Sequence, residues 1–153
     1  MSKKISYKGQ SPVGEQDKIR LRTLNGKKGY KITKFEIIGS TPGVANGEYI
    51  AKIYNTNQTG SITNTINFTE SDLLATCFAG SSTNNTQIPP LQVTIFDNKR
   101  FNQDIFIYIV DVSGGTVPCN YYIELDVIDL NDLQATQLTL ENIRDITAPT
   151  GNV

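Results

Sequence analysis

Fifteen carboxylates, two thiols and no histidine define the chemistry open to this 153-residue chain. Without His, a Ser-His-Asp or Cys-His relay, an HExxH helix and any His-ligated metal centre are excluded. Carboxylates alone suit glycoside hydrolysis, which needs two of them across the scissile bond. Glu124 and Asp126 would share a strand face about 7 Å apart by strand rise. Any chain this rich in acids contains such pairs, so the spacing assigns no activity. Asp126, Asp129, Asn131 and Asp132 offer oxygens for calcium, but the run lacks the glycine and terminal Glu of an EF-hand loop and reads as a solvated strand end. Cys77 and Cys119 share no CxxC spacing, are too few for a zinc site, and read as buried thiols. Val112-Ser113-Gly114-Gly115 is a turn, because no Gly-Lys-Thr or helix follows it. Tyr108, Tyr121 and Tyr122 could stack on a sugar, although Trp, the best platform, is absent and strand tyrosines ordinarily pack. The expectation is a chain that is not an enzyme and takes neither cofactor nor metal.

Charge is the most informative feature, and the net of −1 conceals it. Residues 1–34 hold ten cations (Lys3, Lys4, Lys8, Lys18, Arg20, Arg22, Lys27, Lys28, Lys31, Lys34) against Glu15 and Asp17, whereas the remainder holds four cations against thirteen acids. Such a split either pairs internally or meets an acidic partner. Exposed ion pairs are worth only about 0–1 kcal/mol each, so folding alone does not demand it. Lys3, Lys4, Lys8, Lys18, Arg20, Arg22, Lys27 and Lys28 are therefore the candidate partner-binding residues, directed at an acidic protein surface. Nucleic acid is not the expected partner: Lys18, Arg20 and Arg22 have no interleaved aromatic, and no RNP, helix-turn-helix or zinc-finger signature is present.

The elements that must carry these groups are strands. Ile, Thr, Val, Tyr and Phe supply 56 residues, against six each of Ala and Glu, a balance that favours sheet. Residues 1–16 read as a basic N-terminal arm or first edge strand, 17–147 as one β-sandwich domain, and 148–153 as a flexible tail. Asp17–Leu24 alternates as a half-buried strand with Lys18, Arg20 and Arg22 on its polar face, and Asn25-Gly26 turns the chain. In Tyr30–Gly39 the apolar phase shifts from Tyr30 and Ile32 to Phe35 and Ile37, which calls for a bulge near Thr33-Lys34. Gly47–Tyr54 carries bulk on both faces, and Ile62, Asn64, Ile66 and Phe68 alternate as a further strand. Thr69–Phe78 fits a short helix or a strand. Gly80–Pro90 is a polar loop, and Leu91–Asp97 alternates as a strand. Gln103–Val112 is apolar on both sides and is the candidate central strand. Asn120–Leu130 is another strand, and Leu138, Leu140, Ile143 and Ile146 fit a bulged strand or a short helix. About eight strands at regular spacing indicate an all-β antiparallel sandwich, jelly-roll in type, with at most one short helix.

Met1-Ser2-Lys3-Lys4 precedes a polar stretch with no apolar leader core, and no run approaches the roughly 18 apolar residues of a membrane span. The sequence thus predicts synthesis in a reducing cytoplasm and no membrane partner. In that setting the sequons at Asn57, Asn67 and Asn84 carry no glycan.

Phe96-Asp97-Asn98-Lys99-Arg100-Phe101-Asn102-Gln103-Asp104-Ile105-Phe106, Asn120-Tyr121-Tyr122-Ile123-Glu124-Leu125-Asp126-Val127 and Leu140-Glu141-Asn142-Ile143-Arg144-Asp145-Ile146 resemble small structural proteins of marine tailed phages. Lys31–Phe35 and Glu48–Tyr54 resemble earlier strands of the same family, so the likeness spans most of residues 30–147. It is a likeness of strand and turn texture. It implies a virion component made in the host cytoplasm, a capsid decoration or cement protein that forms homo-oligomers or docks on the major capsid protein or another virion protein. A carbohydrate-binding or tail-adhesion module is the alternative, since jelly rolls also serve as lectins.

Overall fold

The computed structural model describes residues 3–41, 47–80 and 91–147. In chain order these form β1 (Lys3–Ser11), β2 (Glu15–Ile19), β3 (Lys28–Gly39), β4 (Glu48–Tyr54), β5 (Leu73–Gly80), β6 (Leu91–Phe96), β7 (Ile105–Asp111), β8 (Cys119–Asp129) and α1 (Asp132–Thr147). Every strand pairing is antiparallel. One sheet has the order β1-β8-β3 and the other β2-β7-β4-β5-β6. The fold is an all-β sandwich with one short helix.

Period-2 alternation decides which residues lie between the sheets. Ile32, Phe35, Ile37, Ile123 and Leu125 from the first sheet meet Ala51, Ile53, Cys77, Ile105, Ile107 and Ile109 from the second in one apolar cluster. The phase shift in β3 is resolved as the sequence requires: the register against β8 slips between Ile32 and Lys34. Tyr30, Ile32, Phe35 and Ile37 consequently all remain buried. The strand read as central, β7, sits between β2 and β4. Its outward Tyr108 is also buried, because the segment 55–72 lies over that face.

Several readings need correction. Lys3–Ser11 is an edge strand and not a free arm: it pairs along its length with β8, from Lys3↔Val127 to Ser11↔Cys119, and Ile5 and Tyr7 pack on the core. The strand placed at Asp17–Leu24 runs instead from Glu15 to Ile19. It stops there because the next inward amide, that of Leu21, donates to the Asp104 carboxylate at 2.8 Å and leaves the ladder. Residues 62–68 form no strand: the segment is held against the outer face of β4, where Thr63 O and Thr65 O accept from the Lys52 ammonium. Of the helix and the strand open to Thr69–Phe78, the structure takes the strand: Asn67 organises a turn by accepting from Thr69 N at 3.0 Å, and β5 starts at Leu73. Of the loop read at Gly80–Pro90, Gly80 ends β5 instead, and its remainder, 81–90, lies with the tail at 148–153 outside the described residues.

The last segment is the helix. Asn131 and Gln134 cap it reciprocally, Gln134 N donating to Asn131 Oδ1 at 2.8 Å and Asn131 N to Gln134 Oε1 at 3.2 Å. Asp132 in the first turn and Arg144 in the last complement the helix dipole. Its attachment is polar. Asn102 Nδ2 donates to Ala135 O, Thr139 Oγ1 and Gly26 O at 3.3, 3.1 and 3.0 Å, tying α1 to the β2–β3 loop. That loop runs through three successive left-handed residues, Leu24, Asn25 and Gly26. A Cβ on Gly26 would sit 3.0 Å from Asn102 Nδ2. Gly26→Ala is therefore expected to cost about 1–2 kcal/mol, read as a fall in thermal midpoint.

Candidate docking surface

The strand order explains the charge split. Basic β1 and β3 both flank acidic β8, so cross-strand rows on the outer face read Lys4–Asp126–Lys31 and Ser6–Glu124–Lys34. Lys4 Nζ reaches Asp126 at 3.0 Å, Lys28 pairs with Asp129, and Lys27 lies 3.9 Å from Asp132. On β2, Lys18 reaches Asp104 at 3.4 Å and lies over the Phe106 ring. Four of the eight candidate residues thus have an acid of their own domain within 4.0 Å. These pairs are exposed and each adds little to stability.

Lys3, Lys8, Arg20 and Arg22 have no acid that close among the described residues. All except Arg20 can be placed by a backbone partner. Lys3 opposes Val127, which opposes Tyr30 on the far side, and the Tyr30 hydroxyl donates to Arg22 O. Lys3 and Arg22 therefore share the end of the sandwich where β1 and β3 begin and β8 finishes. Arg20 leaves β2 one residue beyond Ile19, opposite Ile105, and Phe101 near that strand's start bridges to Tyr30. Lys8 lies further along, opposite Tyr122. The structure thus gathers three of the four unpaired cations at one end.

The acids considered for other chemistry are dispersed among lysines. Asp126, Asp129 and Asp132 each serve a different one, and no group of three or more His, Cys, Asp or Glu among the described residues is placed to hold a metal. Glu124 and Asp126 share a face as expected, but across from Lys34 and Lys4. The tyrosines form no common platform: Tyr121 packs on the core, Tyr122 faces outward from one sheet, and Tyr108 is buried on the other.

Two features lie outside the sequence reading. The first is Lys52, on the outward face of β4 yet only 1% exposed. Its ammonium donates to Thr63 O at 2.7 Å and Thr65 O at 2.5 Å, and so holds the 55–72 segment against the sheet. Burial pushes the Lys52 ammonium down from its ordinary range while Glu70 opposes the shift. Burial pushes Glu70 up, against the pull of Lys52. Tyr54 is pushed up by burial first and by Glu70 and Asp72 next. Lys52 is the sole cation between Lys34 and Lys99, a signal available in the sequence. The second feature is a groove of about 380 Å³ between this segment and β6, walled by Phe68, Leu74, Ile95 and Phe96 with Ser71, Glu70 and Asp97 at its polar side.

The sequence matches no family model and no curated protein.

Proposed function

We propose that this chain is a non-enzymatic structural protein of a virion shell, a jelly-roll decoration or cement subunit that docks on the major capsid protein or another virion protein. The strand pairing supports the jelly-roll reading, because it is nested. β1 pairs with β8, β2 with β7 and β4 with β5, and β3 and β6 meet where Gln92 Nε2 donates to Ile37 O at 3.1 Å. Three nested pairs of this kind are those of a hairpin rolled upon itself, the plan of jelly-roll capsid and lectin domains, although β6 here extends the sheet opposite β3 by pairing with β5.

The observation that carries the docking role is the residue of charge at one end. Lys4, Lys18, Lys27 and Lys28 have acids of their own, whereas Lys3, Arg20, Arg22 and, further along, Lys8 have none within 4.0 Å among the described residues. Unpaired surface cations steer and register an acidic partner rather than stabilise the fold. Lattice repetition then multiplies a modest contact by avidity.

The test is co-sedimentation of the purified protein with shells that lack it. A variant with Lys3, Lys8, Arg20 and Arg22 all replaced by Glu is expected to lose roughly tenfold or more in occupancy. Lys27→Gln, which touches only an internal pair, should bind as wild type. Salt near 1 M, where the Debye length is about 3 Å, should weaken wild-type binding. Undiminished occupancy of the fourfold variant would sink the reading. The groove beside β6 favours one second reading, a carbohydrate-binding module, and binding on a glycan array without shell binding would select it.

A further inference from the structure

In β6 the usual alternation is inverted. Gln92 and Thr94 point between the sheets, where Gln92 Nε2 donates to Ile37 O at 3.1 Å and Thr94 Oγ1 lies 3.2 Å from Cys77 Sγ. Val93 and Ile95 take the outer face and are 47 and 49% exposed. Beyond β6 the five-stranded sheet has no further strand among the described residues, so one side of the β6 backbone is open. Which groups lie on that side follows from the register. Asp97 N donates to Leu74 O at 2.8 Å, in step with the pairs Phe96↔Ala75 and Ile95↔Thr76. Antiparallel partners alternate between bonded and non-bonded pairs. Val93 and Ile95 therefore exchange hydrogen bonds with β5, and Gln92, Thr94 and Phe96 turn their N–H and C=O groups to the open side.

The other three sheet edges are guarded by charge. β1 carries Lys3, Lys4 and Lys8, β2 carries Glu15, Asp17 and Lys18, and β3 carries Lys28, Lys31, Lys34 and Glu36. Charged side chains keep a stray strand from pairing with an exposed edge. β6, Leu91–Phe96, carries none. Beside it lies the groove of about 380 Å³, with Ile95 and Phe96 on the β6 side and Phe68 on the side of the 55–72 segment. Asp97, also lining that groove, has no basic group within 4.0 Å among the described residues.

An open edge beside a side-chain pocket is the arrangement by which sheets take up an extended peptide: main-chain hydrogen bonds supply affinity and the pocket supplies selectivity. We propose that β6 receives an extended segment of another protein as a sixth strand of its sheet. That segment sets an aliphatic or aromatic side chain in the groove and a lysine or arginine against Asp97. The β6 of a second copy would bring apolar side chains but no cation. The inference stands independently of the shell reading.

Random peptides of about ten residues displayed against the immobilised full chain should yield binders that alternate apolar side chains and carry Lys or Arg. Resynthesised and read by fluorescence anisotropy, they should bind with Kd values in the micromolar range. Methylating every second backbone nitrogen of such a peptide should abolish binding in one frame and spare it in the other, because only alternate amides face β6. Ile95→Lys should weaken binding roughly tenfold or more, with an unchanged thermal unfolding midpoint, since the side chain is half exposed. Asp97→Lys should turn selection away from basic peptides. A library that yields no binder overturns the proposal, as do binders equally affected by methylation in both frames or indifferent to Ile95→Lys. A dimer of the chain that Ile95→Lys dissolves overturns it too, and gives the edge to a second copy.

Discussion

Replacing Asp145 with Asn is expected to loosen α1 from the sandwich and to lower the unfolding free energy by about 2–3 kcal/mol. Asp145 is 5% exposed, and its carboxylate is the acceptor for both Asn55 Nδ2 and Lys99 Nζ. Lys99 also donates to Ser71 O at 3.0 Å, so one ammonium links the helix, the 55–72 segment and the loop after β6. The amide of the variant keeps the shape and removes the charge, which leaves the Lys99 ammonium in a mostly buried place without its counter-ion. Burial pushes the Asp145 carboxyl up, but the hydrogen bonds from Lys99 and Asn55 and the Lys99 charge outweigh it and hold the group below the usual carboxylate range. A depressed folded-state pKa stabilises above the unfolded value, near 4, and that contribution is lost as pH falls through the folded value. Wild type should therefore lose protection in α1 on acidification below about pH 4, while Asp145→Asn should show that weakness already at pH 7 and little further change. Amide exchange across α1 with urea unfolding at the two pH values checks both parts. Removing Lys99 and Asp145 together as Met and Asn should cost less than the sum of the single changes, because neither charge is then stranded.

Lys52→Met should detach the 55–72 segment and cost about 2–3 kcal/mol. Met approximates the length and volume of the Lys stem but donates no hydrogen bond. Thr63 O and Thr65 O lose their donor, and Glu70, whose Oε2 is already buried without a hydrogen-bond partner, loses its neutralising neighbour. The expected signature is local. Exchange and proteolytic cleavage should rise within residues 55–72, and the core amides of β7 and β8 should change only by the global loss. Equal loosening of every element would contradict the role given to Lys52.

The apolar layer of this fold was legible in the sequence because it is built from the alternation that sequence displays. Tyr30, Ile32, Phe35 and Ile37 require a slip, and the slip is there. Ile105, Ile107 and Ile109, with Phe106, Tyr108 and Val110 on the other side, mark an interior strand, and β7 is one. Elements positioned by hydrogen bonds were not legible. Ile62, Asn64, Ile66 and Phe68 alternate, yet the Lys52 ammonium, donating to Thr63 O and Thr65 O, holds them against the face of the sheet and not along an edge. In α1 the apolar residues are divided, Ala135 buried and Leu133, Leu140, Ile143 and Ile146 exposed, while Asn142 and Asp145 are hydrogen-bonded inward, so a reading that equates apolar with buried finds no clean period. As for the candidate cations, their clustering was visible. Which of them would be neutralised was not, since that follows from β8 lying between β1 and β3, a pairing of chain ends.

Cys77 on β5 and Cys119 at the start of β8 come from opposite sheets and are both fully buried and unbridged. Burial pushes the Cys119 thiol up to about 12, with Cys77 adding to the shift, and pushes Cys77 up likewise. Neither is a thiolate at neutral pH, so neither is nucleophilic while the sheets remain closed. The pair therefore forms an intrinsic clock for opening: an alkylating reagent labels the chain only as fast as the two layers part. In excess reagent that rate approaches the unfolding rate, and at low reagent it reports the open population. In a protein without tryptophan fluorescence, mass-resolved labelling of these two positions would time the separation of the sheets, inside an assembly as readily as in dilute solution.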